Sequence, residues 1–102
     1  MKKKIVILGS TGSIGKNTIR IIQKDKKNFD IELLSTNKNI LEVIKQAKEF
    51  NVTNIIINDY KSFVKAKAKY KKLNINFYNS FSIIDKLFKK KKTLLFYDCN
   101  SW

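Results

Sequence analysis

The stretch Gly9-Ser10-Thr11-Gly12-Ser13-Ile14-Gly15 holds all three glycines of this 102-residue chain, which contains no proline. It follows the uninterrupted apolar run IVIL at residues 5–8, which is typical of a strand buried on both faces. After it, apolar residues and a threonine recur at helical spacing (Ile14, Thr18, Ile21 and Ile22). The glycines therefore mark the bend from a first strand into a first helix.

Three glycines at this bend indicate a phosphate site. A sharp turn favours backbone angles that a Cβ forbids, and a pyrophosphate must approach the backbone closely. The helix must then pack tightly on the first strand, and its free N–H groups complete an anion site. The hydroxyls of Ser10, Thr11 and Ser13 are available to donate to phosphate. The alternative, a tight turn without a ligand, would need only one glycine.

The rest of the chain alternates short apolar runs with segments of helical period. Further strands are predicted at residues 31–35, 54–57, 75–78 and 93–97, with helices at 40–50, 60–70 and 80–88. Asn39, Asp59 and Ser80 are suitable cap residues for those three helices. This alternation predicts a single domain, residues 1–102, with a Rossmann-like doubly wound parallel sheet of about five strands in three αβα layers.

Composition excludes several classes of function. The formal charge is +14, but all 22 basic residues except Arg20 are Lys, whereas nucleic-acid readers favour the planar fork of Arg. We expect no nucleic-acid partner, although a basic nucleic-acid-binding protein is kept as an alternative. The chain has one cysteine, Cys99, and no histidine, so no disulfide, thiolate metal cluster or histidine base is expected. The apolar run at 5–8 is too short for a signal peptide or membrane span, which predicts a cytoplasmic protein without membrane contact.

The end of the second predicted strand indicates which dinucleotide is bound. NAD sites usually place an acid there, about 20 residues past the glycines, but this chain reads Ser35-Thr36-Asn37-Lys38-Asn39. Lys38 is a cation where a ribose 2′-phosphate would lie, and the flanking asparagines add donors. The pattern favours NADP over NAD. The alternative is that Lys38 is simply one of many lysines.

The sequence resembles the start of the 1-deoxy-D-xylulose 5-phosphate reductoisomerase family. The resemblance is carried by residues 3–22 (KKIVILGSTGSIGKNTIRII), 32–40 (ELLSTNKNI) and 41–59 (LEVIKQAKEFNVTNIIIND), and it weakens beyond Asp59. It implies an N-terminal NADPH-binding domain. The implied pyrophosphate residues are Thr11, Gly12, Ser13 and Ile14, and the implied 2′-phosphate residues are Asn37, Lys38 and Asn39. Asn37 stands where the family commonly has Gly; because Asn tolerates left-handed backbone angles better than most residues, the turn is expected to form with Asn.

The resemblance also implies an activity for the complete enzyme. This family of NADPH-dependent oxidoreductases isomerises 1-deoxy-D-xylulose 5-phosphate and reduces the intermediate to 2-C-methyl-D-erythritol 4-phosphate, in the non-mevalonate isoprenoid pathway, with Mg²⁺ or Mn²⁺. The family is homodimeric, with a dimer surface largely outside this chain.

Its catalytic and C-terminal domains find no match here, so no catalytic residue and no metal ligand is assigned. We expect a truncated or degraded copy that is inactive alone. A stand-alone nucleotide-binding module without catalysis, or another NADP enzyme such as a semialdehyde dehydrogenase, remain alternatives.

Overall fold

The computed structural model describes residues 3–88 and 95–98, with side chains described for residues 3–86. In that part of the chain, strands and helices alternate along the sequence. They are β1 Lys3–Leu8, α1 Ser13–Gln23, a 3-10 turn Lys26–Asn28, β2 Phe29–Thr36, α2 Ile40–Phe50, β3 Asn54–Ile57, α3 Tyr60–Lys69, β4 Asn76–Tyr78, α4 Ile83–Phe88 and β5 Leu95–Asp98.

The five strands form one parallel sheet in the order β4-β3-β2-β1-β5. From β1 the chain adds β2, β3 and β4 on one side, and β5 then pairs with the other side of β1. The predicted doubly wound sheet is confirmed. The strand order reverses beside β1, and in such sheets ligands bind at the carboxyl ends of the strands at this point.

Both faces of the sheet are packed against helices, which confirms the three layers. On one face, Ile5 and Ile7 of β1 belong to a cluster with buried residues of α1, α2 and α3. On the other face, Val6 and Leu8 cluster with Leu33 and Ile56, against which Tyr78, Phe81 and the α4 residues Ile83 and Ile84 pack. Burying each such aliphatic side chain contributes about 1.5–3 kcal/mol before the entropy of ordering is counted.

A bulge interrupts the pairing of β1 with β2 and was not predicted. Ile5 pairs with Ile31, whereas Val6 pairs with Leu33, so the intervening Glu32 has no opposite residue. Because the bulge breaks the two-residue alternation of side chains, Ile31 and Leu34 share one face although they are three residues apart.

The apolar residues of α1 do not all face the sheet, and the helix cap predicted at Ser80 is wrong. In α1 the buried residues are Gly15, Ile19 and Ile22, while Ile14 and Ile21 are 58% and 67% exposed. The Ser80 hydroxyl accepts the N–H of Ser82 in a turn before α4 rather than capping the helix. Of the predicted fifth strand, residues 93 and 94 lie outside the described residues, as does Cys99.

The caps predicted for α2 and α3 are confirmed. The side chain of Asn39 accepts the N–H of Glu42 at 3.3 Å. The Asp59 carboxylate accepts the Ser62 N–H at 3.0 Å and the Ser62 hydroxyl at 2.7 Å. At its other end, α2 is closed by Asn51 in the left-handed conformation, φ 56°, which is a common way to end a helix.

The Asp59 cap of α3 makes the free energy of unfolding depend on pH in the acid range. The Ser62 hydroxyl and N–H, assisted by the charges of Lys38 and Lys61, hold the pKa of Asp59 below its ordinary value of 3.8. A carboxyl with a lowered folded pKa stabilises the fold above the unfolded pKa and loses that stabilisation as pH falls through the folded pKa. Between pH 5 and 2, we expect the melting temperature of Asp59→Asn to fall less steeply than that of the wild type. Asp85→Asn controls for net charge, and parallel curves for wild type and Asp59→Asn would contradict this.

Candidate nucleotide-binding site

The glycine loop leaves β1 where the strand order reverses, and the structure gives two of its glycines a role. Gly9 has φ 69°, in the left-handed region that favours glycine. A Cβ on Gly15 would lie 2.2 Å from the Gly9 carbonyl oxygen and 2.6 Å from the Cα of Ser10. The predicted sharp turn and close helix packing are therefore confirmed. Gly12 has φ −76° and ψ 174°, which any residue can adopt, so its role in admitting a pyrophosphate stays a prediction.

The N-terminus of α1 differs from those of α2 and α3. Gly12 occupies the cap position and no side chain caps the helix, whereas Asn39 and Asp59 cap α2 and α3. The first turn of α1, like that of α3, contains no acidic residue. The first intrahelical bond runs from the Lys16 N–H to the Gly12 carbonyl at 2.8 Å. The N–H groups of Ser13 and Ile14 thus lack intrahelical partners, and both residues are exposed. Free donors and the positive end of the helix dipole coincide at this point.

The start of the loop is fastened to the end of β2 by Ser35. The Gly9 N–H donates to the Ser35 hydroxyl oxygen at 2.7 Å, and the Ser10 N–H donates to the Ser35 carbonyl at 2.9 Å. The Ser10 hydroxyl donates to the same carbonyl at 3.3 Å, and Ser10 is fully buried. The expectation that Ser10 donates to phosphate is therefore wrong, since its hydroxyl helps hold the loop to the sheet.

Gln46 of α2 holds the same part of the loop and was not singled out in the sequence. Its Nε2 donates to the Ser10 carbonyl at 3.0 Å, and the residue is 3% exposed. Its Oε1 is buried and has no hydrogen-bond partner. The available signal was its position on the apolar face of α2, which carries Ile40, Val43, Ile44, Ala47 and Phe50. Burying an amide on such a face is costly unless the amide forms a hydrogen bond.

Hydroxyl contacts join the segment predicted to bind the pyrophosphate, residues 11–14, to the segment predicted to bind the 2′-phosphate, residues 37–39. The hydroxyl oxygens of Thr11 and Thr36 are 2.7 Å apart. The Asn39 N–H donates to the same Thr36 oxygen at 3.3 Å. Thr11 is half-buried, Asn37 is half-buried, and Asn39 is exposed. Because β1 and β2 are parallel neighbours, their carboxyl ends meet at one edge, and the two sets lie side by side there.

The turn after β2 forms with Asn37 in place of the family's glycine. Asn51 is the one non-glycine residue with positive φ in the described part of the chain, so Asn37 does not adopt the left-handed backbone that asparagine tolerates. The Asp59 N–H donates to the Asn37 carbonyl at 3.0 Å, and the Ile40 N–H donates to the Lys38 carbonyl at 2.9 Å. These bonds hold the turn, so glycine is not required in it.

The Lys38 side chain is available to an anion. It is exposed, and neither ion pair found among residues 3–86 involves it. Its positive charge reaches the Asp59 carboxylate, whose pKa it helps to lower after the larger effect of the Ser62 hydroxyl. A phosphate beside Lys38 would therefore be attracted by the ammonium charge, although the nearby Asp59 carboxylate partly cancels that attraction.

The donor set at this edge fits the phosphates of a dinucleotide. Free N–H groups at the start of α1, the Thr11 and Ser13 hydroxyls and the Lys38 ammonium are all donors, and the first turn of α1 has no acid.

Within residues 3–88 and 95–98, no three His, Cys, Asp or Glu side chains gather as a metal site. In the same part of the chain, no helix has the length and hydropathy needed to cross a bilayer.

Comparison with known families identifies the fold's relatives. The family model for 1-deoxy-D-xylulose 5-phosphate reductoisomerase matches residues 5–94. The chain belongs to this family. The reductoisomerase of Pelagibacter ubique (strain HTCC1062) is 49% identical over 86 residues, which cover 84% of this chain and 22% of that protein. The Porphyromonas gingivalis reductoisomerase (strain W83) is 48% identical over 62 residues, 60% of this chain and 16% of that one. The chain thus spans about a fifth of the length of its reductoisomerase relatives.

Solved reductoisomerase structures share the fold. The Zymomonas mobilis enzyme in complex with NADPH superposes with a TM-score of 0.71 at 23% identity, over 76% of this chain and 21% of that chain. A reductoisomerase in complex with NADPH, fosmidomycin and magnesium gives 0.77 at 20% identity, over 89% and 22% respectively. The resemblance seen in the glycine stretch is confirmed along most of the chain.

Proposed function

We propose that residues 1–102 form the NADPH-binding domain of a 1-deoxy-D-xylulose 5-phosphate reductoisomerase. The observation that carries the proposal is the uncapped start of α1, whose free N–H groups follow a glycine loop beside the reversal of strand order. A helix N-terminus of this kind favours phosphate because dipole and donors act together. Membership of the reductoisomerase family makes NADPH the dinucleotide to expect.

The pyrophosphate is assigned to the loop and the first turn of α1. The N–H groups of Ser13 and Ile14 are the donors, with the hydroxyls of Thr11 and Ser13 beside them. The Gly12 N–H already donates to the Gly9 carbonyl at 3.1 Å. Gly12 therefore contributes by lacking a side chain rather than by donating. At the neighbouring turn, Asn37, Lys38 and Asn39 are assigned to the adenosine 2′-phosphate.

The reaction of the complete enzyme belongs to the same proposal. NADPH supplies the hydride that reduces the rearranged sugar phosphate to 2-C-methyl-D-erythritol 4-phosphate. The residues of this chain bind and orient the nucleotide, and none of them is assigned to catalysis or to the Mg²⁺ or Mn²⁺ ion. A cytoplasmic location, a homodimer formed largely through surfaces outside this chain, and the absence of a nucleic-acid partner complete the proposal.

Reversing the charge of Lys38 tests the assignment of the 2′-phosphate. We expect Lys38→Glu to weaken NADPH by about 5- to 150-fold, the equivalent of roughly 1–3 kcal/mol for one charged contact. NADH, which has no 2′-phosphate, should lose far less. Fluorescence titrations of both nucleotides measure this. Lys48→Glu near the other end of α2 makes the same charge change away from the site. Equal losses for NADPH and NADH would contradict the assignment.

A further inference from the structure

The Thr36 hydroxyl links the two halves of the proposed dinucleotide site. Thr36 is the last residue of β2 and is 1% exposed. Its oxygen lies 2.7 Å from the Thr11 hydroxyl oxygen in the pyrophosphate loop and accepts the Asn39 N–H at 3.3 Å in the 2′-phosphate turn. Neither composition nor the family resemblance singled out this residue.

Burial decides which of the two hydroxyls donates. A buried hydroxyl hydrogen needs an acceptor, and the Asn39 N–H is itself a donor, so it cannot serve. The Thr11 oxygen is the acceptor that the described side chains offer to Thr36. Thr36 therefore donates to Thr11. The hydrogen of the half-buried Thr11 hydroxyl is then free to bond to another acceptor, for which the proposed pyrophosphate is suited.

We propose that Thr36 is a positioning residue that fixes Thr11 as a phosphate donor and holds the turn at Asn39 in register with it. The inference rests on the proposed function, because it assumes a dinucleotide with phosphates at both places. Thr36 touches neither phosphate and acts through Thr11 and Asn39. Because one Thr36 hydroxyl contacts both Thr11 and Asn39, its loss should weaken binding of the pyrophosphate and of the 2′-phosphate.

The surrounding contacts allow the hydroxyl to be tested without releasing the loop. Gly9 and Ser10 are bonded to Ser35, and Gln46 holds the Ser10 carbonyl from α2. None of these bonds uses the Thr36 side chain. Thr36→Val keeps the shape and the methyl group of the side chain and removes only the hydroxyl, while Thr36→Ser keeps the hydroxyl.

The experiment compares NADPH and NADH affinities of the 102-residue chain by titration. For Thr36→Val we expect NADPH to weaken about 3- to 10-fold, the range for one neutral hydrogen bond or slightly more, and NADH to weaken less. Thr36→Ser should stay within about twofold of wild type. Thr11→Val should weaken both nucleotides by similar factors. Adding Thr36→Val to Thr11→Val should cost NADH nothing further, because the Thr11 donor is already gone.

The outcomes separate this inference from the proposed function. Wild type that binds neither nucleotide overturns both. Wild type that binds NADPH, with Thr36→Val equal to it, overturns the positioning role alone, as does Thr36→Ser losing as much affinity as Thr36→Val. Thr36→Cys, a side chain of similar size and weak hydrogen bonding, is titrated alongside, and circular dichroism establishes that each variant compared is folded. If Val prevents folding, wild-type affinity in folded Thr36→Cys overturns the positioning role.

Discussion

A Gly15→Ala variant is expected to melt about 10 °C or more below the wild type. The added Cβ would lie 2.2 Å from the Gly9 carbonyl oxygen and 2.7 Å from the Ser10 carbonyl carbon. These neighbours are backbone atoms of a buried loop that Ser35 and Gln46 hold in place, so they cannot rotate away as a side chain would. Overpacking of this kind costs about 3 kcal/mol, and each kcal/mol lowers the melting temperature of a domain this size by about 4–8 °C.

Whether the melting temperature of Gly15→Ala falls or rises shows whether packing or helix propensity dominates at this position. At an exposed position inside a helix, Gly→Ala would stabilise by about 1 kcal/mol. Asn17→Ala, at an exposed position two residues further along α1, serves as the control and should leave the melting temperature unchanged or slightly raised. Thermal unfolding followed by circular dichroism measures both variants. A higher melting temperature for Gly15→Ala would show that α1 does not pack against the loop as described.

Gly12→Val is expected to remove measurable dinucleotide binding while leaving the fold intact. The backbone angles of Gly12, φ −76° and ψ 174°, are open to valine, so the substitution adds no backbone strain. A valine side chain at the start of α1 would fill the space proposed for the pyrophosphate. Loss of both exposed N–H contacts at Ser13 and Ile14 should weaken NADPH and NADH alike by at least about 100-fold, or about 2.8 kcal/mol.

The control for Gly12→Val is Asn17→Val, which adds the same side chain to α1 outside the loop. Gly12→Ala should give an intermediate loss, because its methyl group fills less of the space. Titration of NADPH and NADH, with a melting curve for each variant, distinguishes lost binding from lost structure. Wild-type affinity in a folded Gly12→Val would end the assignment of the pyrophosphate to this loop.

Local chemistry explains why much of the fold could be predicted from the sequence. The caps at Asn39 and Asp59 depend on a side chain and an N–H three residues later, and both were predicted. The glycine spacing likewise identified the bend from β1 to α1. The continuous apolar run of β1 and the alternation of strands and helices were enough for the parallel, doubly wound sheet.

Long-range contacts explain what the sequence did not reveal. Helical spacing does not fix which stripe of α1 faces the sheet. The close approach of Gly15 to Gly9 belongs to a buried face with Ile19 and Ile22, and it leaves Ile14 exposed. The bonds of Ser10 join residues 25 or more positions apart, and no local pattern indicates such partners.

The two sets of site residues were predicted separately, each from its own segment. That they lie side by side follows from the parallel pairing of β1 with β2. That Thr36 joins them through Thr11 and Asn39 depends on side-chain geometry at the strand end, which a sequence pattern does not specify.

The most direct test of the account is an amide NMR titration of the 102-residue chain with NADPH. We expect the N–H resonances of Ser13 and Ile14 to shift the most, together with those of Lys38 and Asn39, and all of them to saturate with one dissociation constant. Unchanged resonances at the start of α1 under saturating NADPH, or shifts confined to the opposite edge of the sheet, would contradict it.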